Sequence, residues 1–428
     1  MRSFEKSQAF LKRAERVIPL GSQTFSKSRT QYPLGVSPFF IERGQGSRVW
    51  DLDGNEYVDF INSLASITLG YNDPDVTAAV TAQLQDGVIF SLPHRLETEV
   101  AELICEMVPC AEMVRFGKNG SDATAGAVRI VRAFTGREHI AQCGYHGWQD
   151  WYIGTTARNL GVPVSTRELT HPFAYNDLAS LQALFDKYPG QIAGVVMEPM
   201  GGTEPQPGYL QAVKDLAHQH GALLVFDETI TGFRFANGGA QDWFKVTPDL
   251  ATFGKGLANG YPVSAIAGRA DVMKMMEEVF FSFTFGGEAL SLAAAKATLT
   301  KLKTQPVINR LTQHGQTIQA GLKQIIAEHK LDDVFSVSGH PTWTFLNIKD
   351  ARGSTVFDIK TLLMQEQHQR GILCLGAHNL SYAHSDADIQ QLLGMYREVL
   401  PLIGKALDSG NLRQFLRCDP LVPLFKVR

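Results

Sequence analysis

The chain has 428 residues, 44% hydrophobic and 19% charged, a globular composition long enough for roughly two to three domains. Forty Lys and Arg against 43 Asp and Glu leave a net charge of −3. That balance excludes the basic footprint of a nucleic-acid binder or of a polybasic membrane patch. The start, Met1-Arg2-Ser3-Phe4-Glu5-Lys6, lacks the apolar run of a signal peptide. No stretch approaches ~18 consecutive apolar residues, so no membrane-spanning helix is expected. The five cysteines (Cys105, Cys110, Cys143, Cys374, Cys418) lack Cys-x-x-Cys spacing, which argues against a disulfide framework or a metal site. A soluble cytoplasmic protein is expected.

In chain order, Phe4–Ile18 places apolar residues at helical spacing, and Pro19 and Gly21 stop it. Asp53-Gly54, between the half-apolar runs Arg48–Leu52 and Tyr57–Phe60, reads as a hairpin turn. Beyond residue 74, helices alternate with short apolar strands. Helices are expected at Val76–Gln85, Glu97–Val108, Asp122–Phe134 and Leu210–His220. Strands are expected at Val114–Phe116, His139–Ala141, Ile192–Met197 and Ala222–Phe226. Continuously apolar strands separated by helices indicate an α/β fold with a mostly parallel sheet covered on both faces. The last third reads as helices (Val307–His329, Asp358–Arg370, Asp386–Ile403) around short strands (Trp343–Ile348, Ile372–Leu375). The expected organisation is a large domain over residues 71–308 and a smaller α/β domain built from both chain ends, 1–70 and 309–428.

Three features fall at strand ends, where open α/β sheets bind ligands. Asp227 follows the apolar run Leu223–Phe226. A carboxylate there can bind a metal, act as a base, pair with a cationic heterocycle or cap a helix. Lys255 lies between Gly254 and Gly256, where partial burial would depress an amine as a Schiff-base lysine requires. Asn119-Gly120-Ser121 opens the helix Asp122–Phe134, offering backbone N–H groups to an anion or simply capping that helix. An anion cradle, a strand-end carboxylate and an amine together match pyridoxal phosphate: its phosphate, its ring nitrogen and its aldehyde.

At these residues the chain resembles the class III aminotransferases of fold type I, within them the branch of glutamate-1-semialdehyde aminomutase. The stretches that carry the resemblance are Phe226-Asp227-Glu228-Thr229-Ile230-Thr231-Gly232-Phe233-Arg234 and Pro248–Lys255. Gly144-Tyr145-His146-Gly147, Glu198-Pro199, Phe134-Thr135-Gly136-Arg137 and Ser381-Tyr382-Ala383-His384-Ser385 complete it. The resemblance implies that Lys255 binds the cofactor and shuttles a proton, and that Asp227 pairs with the ring nitrogen. Tyr145 would stack on the ring with His146 beside it, and Asn119, Gly120 and Ser121 would hold the phosphate. Thr229 stands where the family usually has valine. Thr284 looks like the residue offered to a neighbouring subunit, which implies a homodimer with shared active sites.

Two departures bear on the substrate. Gly376 stands where the aminomutase pattern has a glutamate. In the N-terminal loop, Lys27 is nearest the expected arginine, and Arg29 lies two residues on. A transaminase is therefore expected, moving an amino group from an amino acid, glutamate, to a ketone or aldehyde that could be sugar-derived. The aminomutase is the alternative, and a non-catalytic binding protein a remote one. Gln23, Lys27, Arg29, Glu198 and His378 are the expected substrate contacts.

Overall fold

Ile192–Met197 and Leu223–Asp227 are buried at every position, as strands flanked by helices on both faces must be. The computed structural model describes residues 2–422, which divide into two compact units. One holds residues 65–68 and 74–308, the other residues 2–64, 69–73 and 309–422.

The first unit is built on a seven-stranded sheet. Its order is Met113–Gly117, Ser264–Gly268, Leu250–Phe253, Leu223–Asp227, Ile192–Met197, His139–Cys143, Thr170–Pro172. Only Ser264–Gly268 runs antiparallel to its neighbours. The helix Gly120–Thr135 lies on this sheet. Asn119 and Asp122 form a capping box at its start, and Gly136, with φ of 67°, ends it. Its buried face, Ala123, Ala127, Ile130 and Val131, packs with Ile140, Val225 and Ile266. Each of the isoleucine and valine side chains contributes roughly 1.5–3 kcal/mol by leaving water, and each alanine methyl less.

The parallel strands end together. Gly144 follows Cys143, Glu198 follows Met197, Asp227 is a final strand residue, and Lys255 comes two residues after Phe253. The register pairs Asp227 with Thr252. One edge of the sheet therefore collects every strand-end side chain singled out above.

The second unit holds two sheets. Ile41–Gln45, Arg48–Asp51 and Glu56–Asp59 form an antiparallel meander, and Ile372–Leu373 pairs in parallel with Glu56–Asp59. The turn at Asp53-Gly54 is present, with Gly54 at φ of 86°. Asp53 also accepts hydrogen bonds from the Lys6 and Ser7 amides, and so caps the first helix, Glu5–Ala14. That helix ends four residues before the expected Ile18. The second sheet is the antiparallel set Phe335–His340, Trp343–Ile348, Ala377–Asn379. The helices Val356–Gln369 and Asp386–Asp408 each open on a capping box. No helix among the described residues is long and apolar enough to cross a membrane.

Candidate active site

A cavity of about 280 Å³ opens at the strand ends of the large sheet. Asn119, Gly120, Ser121, Tyr145, His146, Glu198, Asp227, Thr229 and Lys255 all line it, so nine residues singled out from the sequence meet there. Thr124, Gly147, Trp148 and Ile230 line it as well.

Asp227 is 4% exposed. Its Oδ2 accepts from His146 Nδ1 at 2.8 Å. Its Oδ1 accepts from Thr229 Oγ1 at 2.6 Å, the Thr229 amide at 3.1 Å and Thr252 Oγ1 at 3.1 Å. Burial alone would raise the carboxyl pKa, but the hydrogen bonds from His146 and Thr229 outweigh it and hold the group below its ordinary value. The carboxylate stays ionised inside the protein.

The neighbouring Glu228 has a different task. Fully buried, it accepts from Thr231 Oγ1, the Ala240 and Gln241 amides and Gln241 Nε2. Burial pushes its carboxyl up despite those donors. It pins the 228–241 loop and does not line the cavity.

Lys255 has φ of 42°, a left-handed conformation that costs a non-glycine residue on the order of 1–2 kcal/mol. Such strain persists where the surroundings fix it, and here it sets the direction in which the lysine leaves the strand end.

The anion cradle is the start of the helix Gly120–Thr135. The Asn119 side chain serves the capping box, accepting from the Asp122 amide at 3.1 Å. The amides of Gly120 and Ser121 are left at the helix N-terminus, where the helix dipole favours an anion. The cradle is close-packed. A Cβ built on Gly120 would lie 3.0 Å from Thr229 Cγ2, and one on Gly147 would overlap Ser121 Oγ. An amine, a buried ionised carboxylate and helix-start amides in one cavity form a donor set that fits pyridoxal phosphate.

Of the expected substrate contacts, Glu198 is in the cavity lining, and the others lie elsewhere in the chain. Glu198 Oε2 accepts from the Tyr145 amide at 2.9 Å, which fixes the turn carrying Tyr145 and His146. Thr284 is exposed and does not line its own cavity. Gln23, Lys27, Arg29 and His378 belong to the other unit. There Lys27 Nζ donates to Ser63 Oγ at 3.2 Å, and Arg29 is paired with Glu15. His378 is fully buried, with Nδ1 bonded to Thr344 Oγ1 and Nε2 to Tyr396 OH, both at 2.8 Å. With both ring nitrogens taken inside a core, His378 is removed from the substrate contacts expected of it.

Thr252 is the main residue that sequence reasoning missed. Its signal was the register of two adjacent strands, which only the pairing of Leu250–Phe253 with Leu223–Asp227 reveals.

The chain matches the class III aminotransferase family over residues 31–400. It is 34% identical to the 3-aminobutyryl-CoA aminotransferase of Cloacimonas acidaminovorans, over 94% of this chain and 98% of that protein. It is 37% identical to the glutamate-1-semialdehyde 2,1-aminomutase of Syntrophomonas wolfei, over 76% of this chain and 79% of that one. Among solved structures, the PLP internal aldimine form of the Sphingopyxis sp. MTA144 FumI protein superposes with a TM-score of 0.87. It has 30% identity, covering 97% of this chain and 99% of that one. With the family match spanning most of its length and the site residues gathered in one cavity, this chain belongs to the class III aminotransferases.

Proposed function

We propose that the cavity binds pyridoxal phosphate and that the enzyme moves an amino group from glutamate to a ketone or aldehyde acceptor. One observation carries this reading. The ionised Asp227, at the end of one strand, and the strained Lys255, just past the end of its neighbour, line one cavity with Gly120 and Ser121 at a helix start. When bound, pyridoxal phosphate supplies an aldehyde that takes up an amine and a protonated ring that draws electrons from the breaking bond.

The protein's part follows residue by residue. Gly120 and Ser121 amides hold the phosphate. Asp227 keeps the proton on the ring nitrogen. Tyr145 and Thr229, both in the cavity lining, would pack against the ring. Lys255 Nζ would hold the cofactor covalently until the donor amine displaces it, and the freed amine would then take the proton from the donor Cα and pass it to the cofactor carbon that had carried the aldehyde.

Intermolecular transfer is favoured over the aminomutase by Gly376. Its φ of 90° suits glycine and would strain a glutamate there. The sugar-derived acceptor loses support, because His378 is a core residue and Arg29 is paired with Glu15. The similarity to a 3-aminobutyryl-CoA aminotransferase over 94% of the chain favours instead an acceptor with its carbonyl β to an acyl group.

A homodimer is part of the proposal. Phe280, Phe285 and Leu92 are 80%, 58% and 79% exposed, and the Ala289 amide bonded to the Val88 carbonyl at 2.8 Å joins their two segments. An exposed apolar patch of this kind suits a second copy, and Thr284 lies within it. The cytoplasm is the proposed location, in keeping with five free cysteines.

The test is a pair of half-reactions. Amino donors are screened for loss of the cofactor's visible band, then 3-oxoacyl thioesters, keto sugars and glutamate 1-semialdehyde are compared. Efficient conversion of glutamate 1-semialdehyde to 5-aminolevulinate would replace this reading with the aminomutase.

A further inference from the structure

The two oxygens of Asp227 are unequally used. Oδ1 accepts three hydrogen bonds, the shortest from Thr229 Oγ1 at 2.6 Å, the others from the Thr229 amide and Thr252 Oγ1 at 3.1 Å each. Oδ2 accepts one, from His146 Nδ1 at 2.8 Å. With the side chain 4% exposed, protein groups and not bulk water supply these donors. Oδ1 is therefore filled, and Oδ2 keeps lone-pair capacity for a ring N–H.

Both hydroxyls donate to the charged form of the carboxylate, and such bonds weaken when the acid takes up a proton. The two ends of Thr229 have separate tasks. Its methyl packs towards the glycine cradle, 3.0 Å from a Cβ built on Gly120 and 3.4 Å from one on Gly254. Its hydroxyl turns to Asp227. Valine would keep the shape and lose only the donor.

Resting on the reading that a pyridine ring binds here, we propose that the Thr229 hydroxyl, aided by Thr252, decides where the proton shared by Asp227 and the ring nitrogen resides. By stabilising the carboxylate, the two hydroxyls make Asp227 the weaker base and leave the proton on nitrogen. The step is balanced within the pair. The Oδ2–H bond breaks as the N–H bond forms, and no third partner gains or loses a proton. Thr229 is thus a positioning residue that acts through Asp227.

The experiment uses holoenzyme reconstituted with pyridoxal phosphate carrying ¹⁵N in the ring, and reads the chemical shift of that nitrogen. Thr229→Val moves the signal from the protonated towards the neutral-pyridine position, by more than the line width. Thr229→Ser, which restores the hydroxyl without the methyl, stays at the wild-type position. Thr252→Val moves the signal in the same direction as Thr229→Val, and carries the test if the first variant does not fold. A wild-type shift in both valine variants overturns the proposal, as do equal displacements in Thr229→Val and Thr229→Ser. Failure of the wild-type protein to take up the cofactor would overturn the proposed function itself, a result distinct from a wild-type shift in a loaded variant.

Discussion

His146 Nδ1 and Asp227 Oδ2 lie 2.8 Å apart with both side chains closed off from water, so imidazole and carboxylate form one buried unit. Asp227→Asn removes the anion that stabilises charge on the ring, and kcat/KM falls on the order of a hundredfold or more. His146→Phe keeps the anion and removes one charge-assisted bond, so the loss is smaller, roughly tenfold. Steady-state kinetics with cofactor content measured on the same samples checks the ranking. A His146 variant as impaired as Asp227→Asn would contradict it.

Lys255→Ala leaves a folded protein that binds cofactor without a covalent link, and its turnover falls on the order of a thousandfold or more. Borohydride then reduces the bound aldehyde without fixing it to the chain, so denaturation releases the cofactor. The left-handed φ at this position adds a second expectation. Lys255→Gly should melt above Lys255→Ala, because glycine adopts φ of 42° without a steric penalty. Equal melting temperatures would mean that the backbone relaxes on losing the lysine.

Gly147 has φ of 98°, and a methyl built on it would overlap Ser121 Oγ in the anion cradle. Gly147→Ala therefore costs about 1–3 kcal/mol of stability and weakens cofactor binding. Thermal melts with and without cofactor measure both effects. An alanine variant with wild-type melting and cofactor affinity would show that the cradle tolerates the side chain.

Acid should unfold the protein through buried imidazoles in the unit formed by both chain ends. Burial pushes His368, His378 and His384 down to about 4 each, against about 6.5 in the unfolded chain. Between those values the unfolded state binds more protons, so stability is intact above about pH 6.5 and is lost as pH falls towards 4. Each group contributes on the order of 1 kcal/mol per pH unit in that window. Melting temperatures at pH 7.5, 6 and 5 should fall progressively. A flat profile would mean that these histidines are already charged in the native state.

The site was legible in the sequence where local chemistry and strand ends coincide. Asp227, Lys255 and Ser121 each sit beside an apolar run or a glycine that marks the end of an element. The strand Ser264–Gly268 was not legible, nor were the bounds of Leu250–Phe253. Both strands are short and carry small residues such as Ala251, Ala265 and Gly268, so their burial comes from neighbouring strands and not from their own pattern. Thr252 stayed hidden with them. His378 misled for a related reason. A polar residue in a loop-like stretch suggests an exposed donor, and only the pairing of Ala377–Asn379 with Trp343–Ile348 encloses it.

The parallel pairing of Glu56–Asp59 with Ile372–Leu373 has a consequence for biosynthesis. The first strands to leave the ribosome must wait for a partner about 300 residues downstream. At ~5–20 residues per second that delay is roughly 15–60 s. Throughout it, the Val49, Tyr57 and Val58 side chains that end up buried are exposed on a nascent chain whose middle segment can already fold. Factors that shield nascent chains should therefore matter for the yield of this protein, and slowing translation after residue 308 should lower that yield by prolonging the exposure.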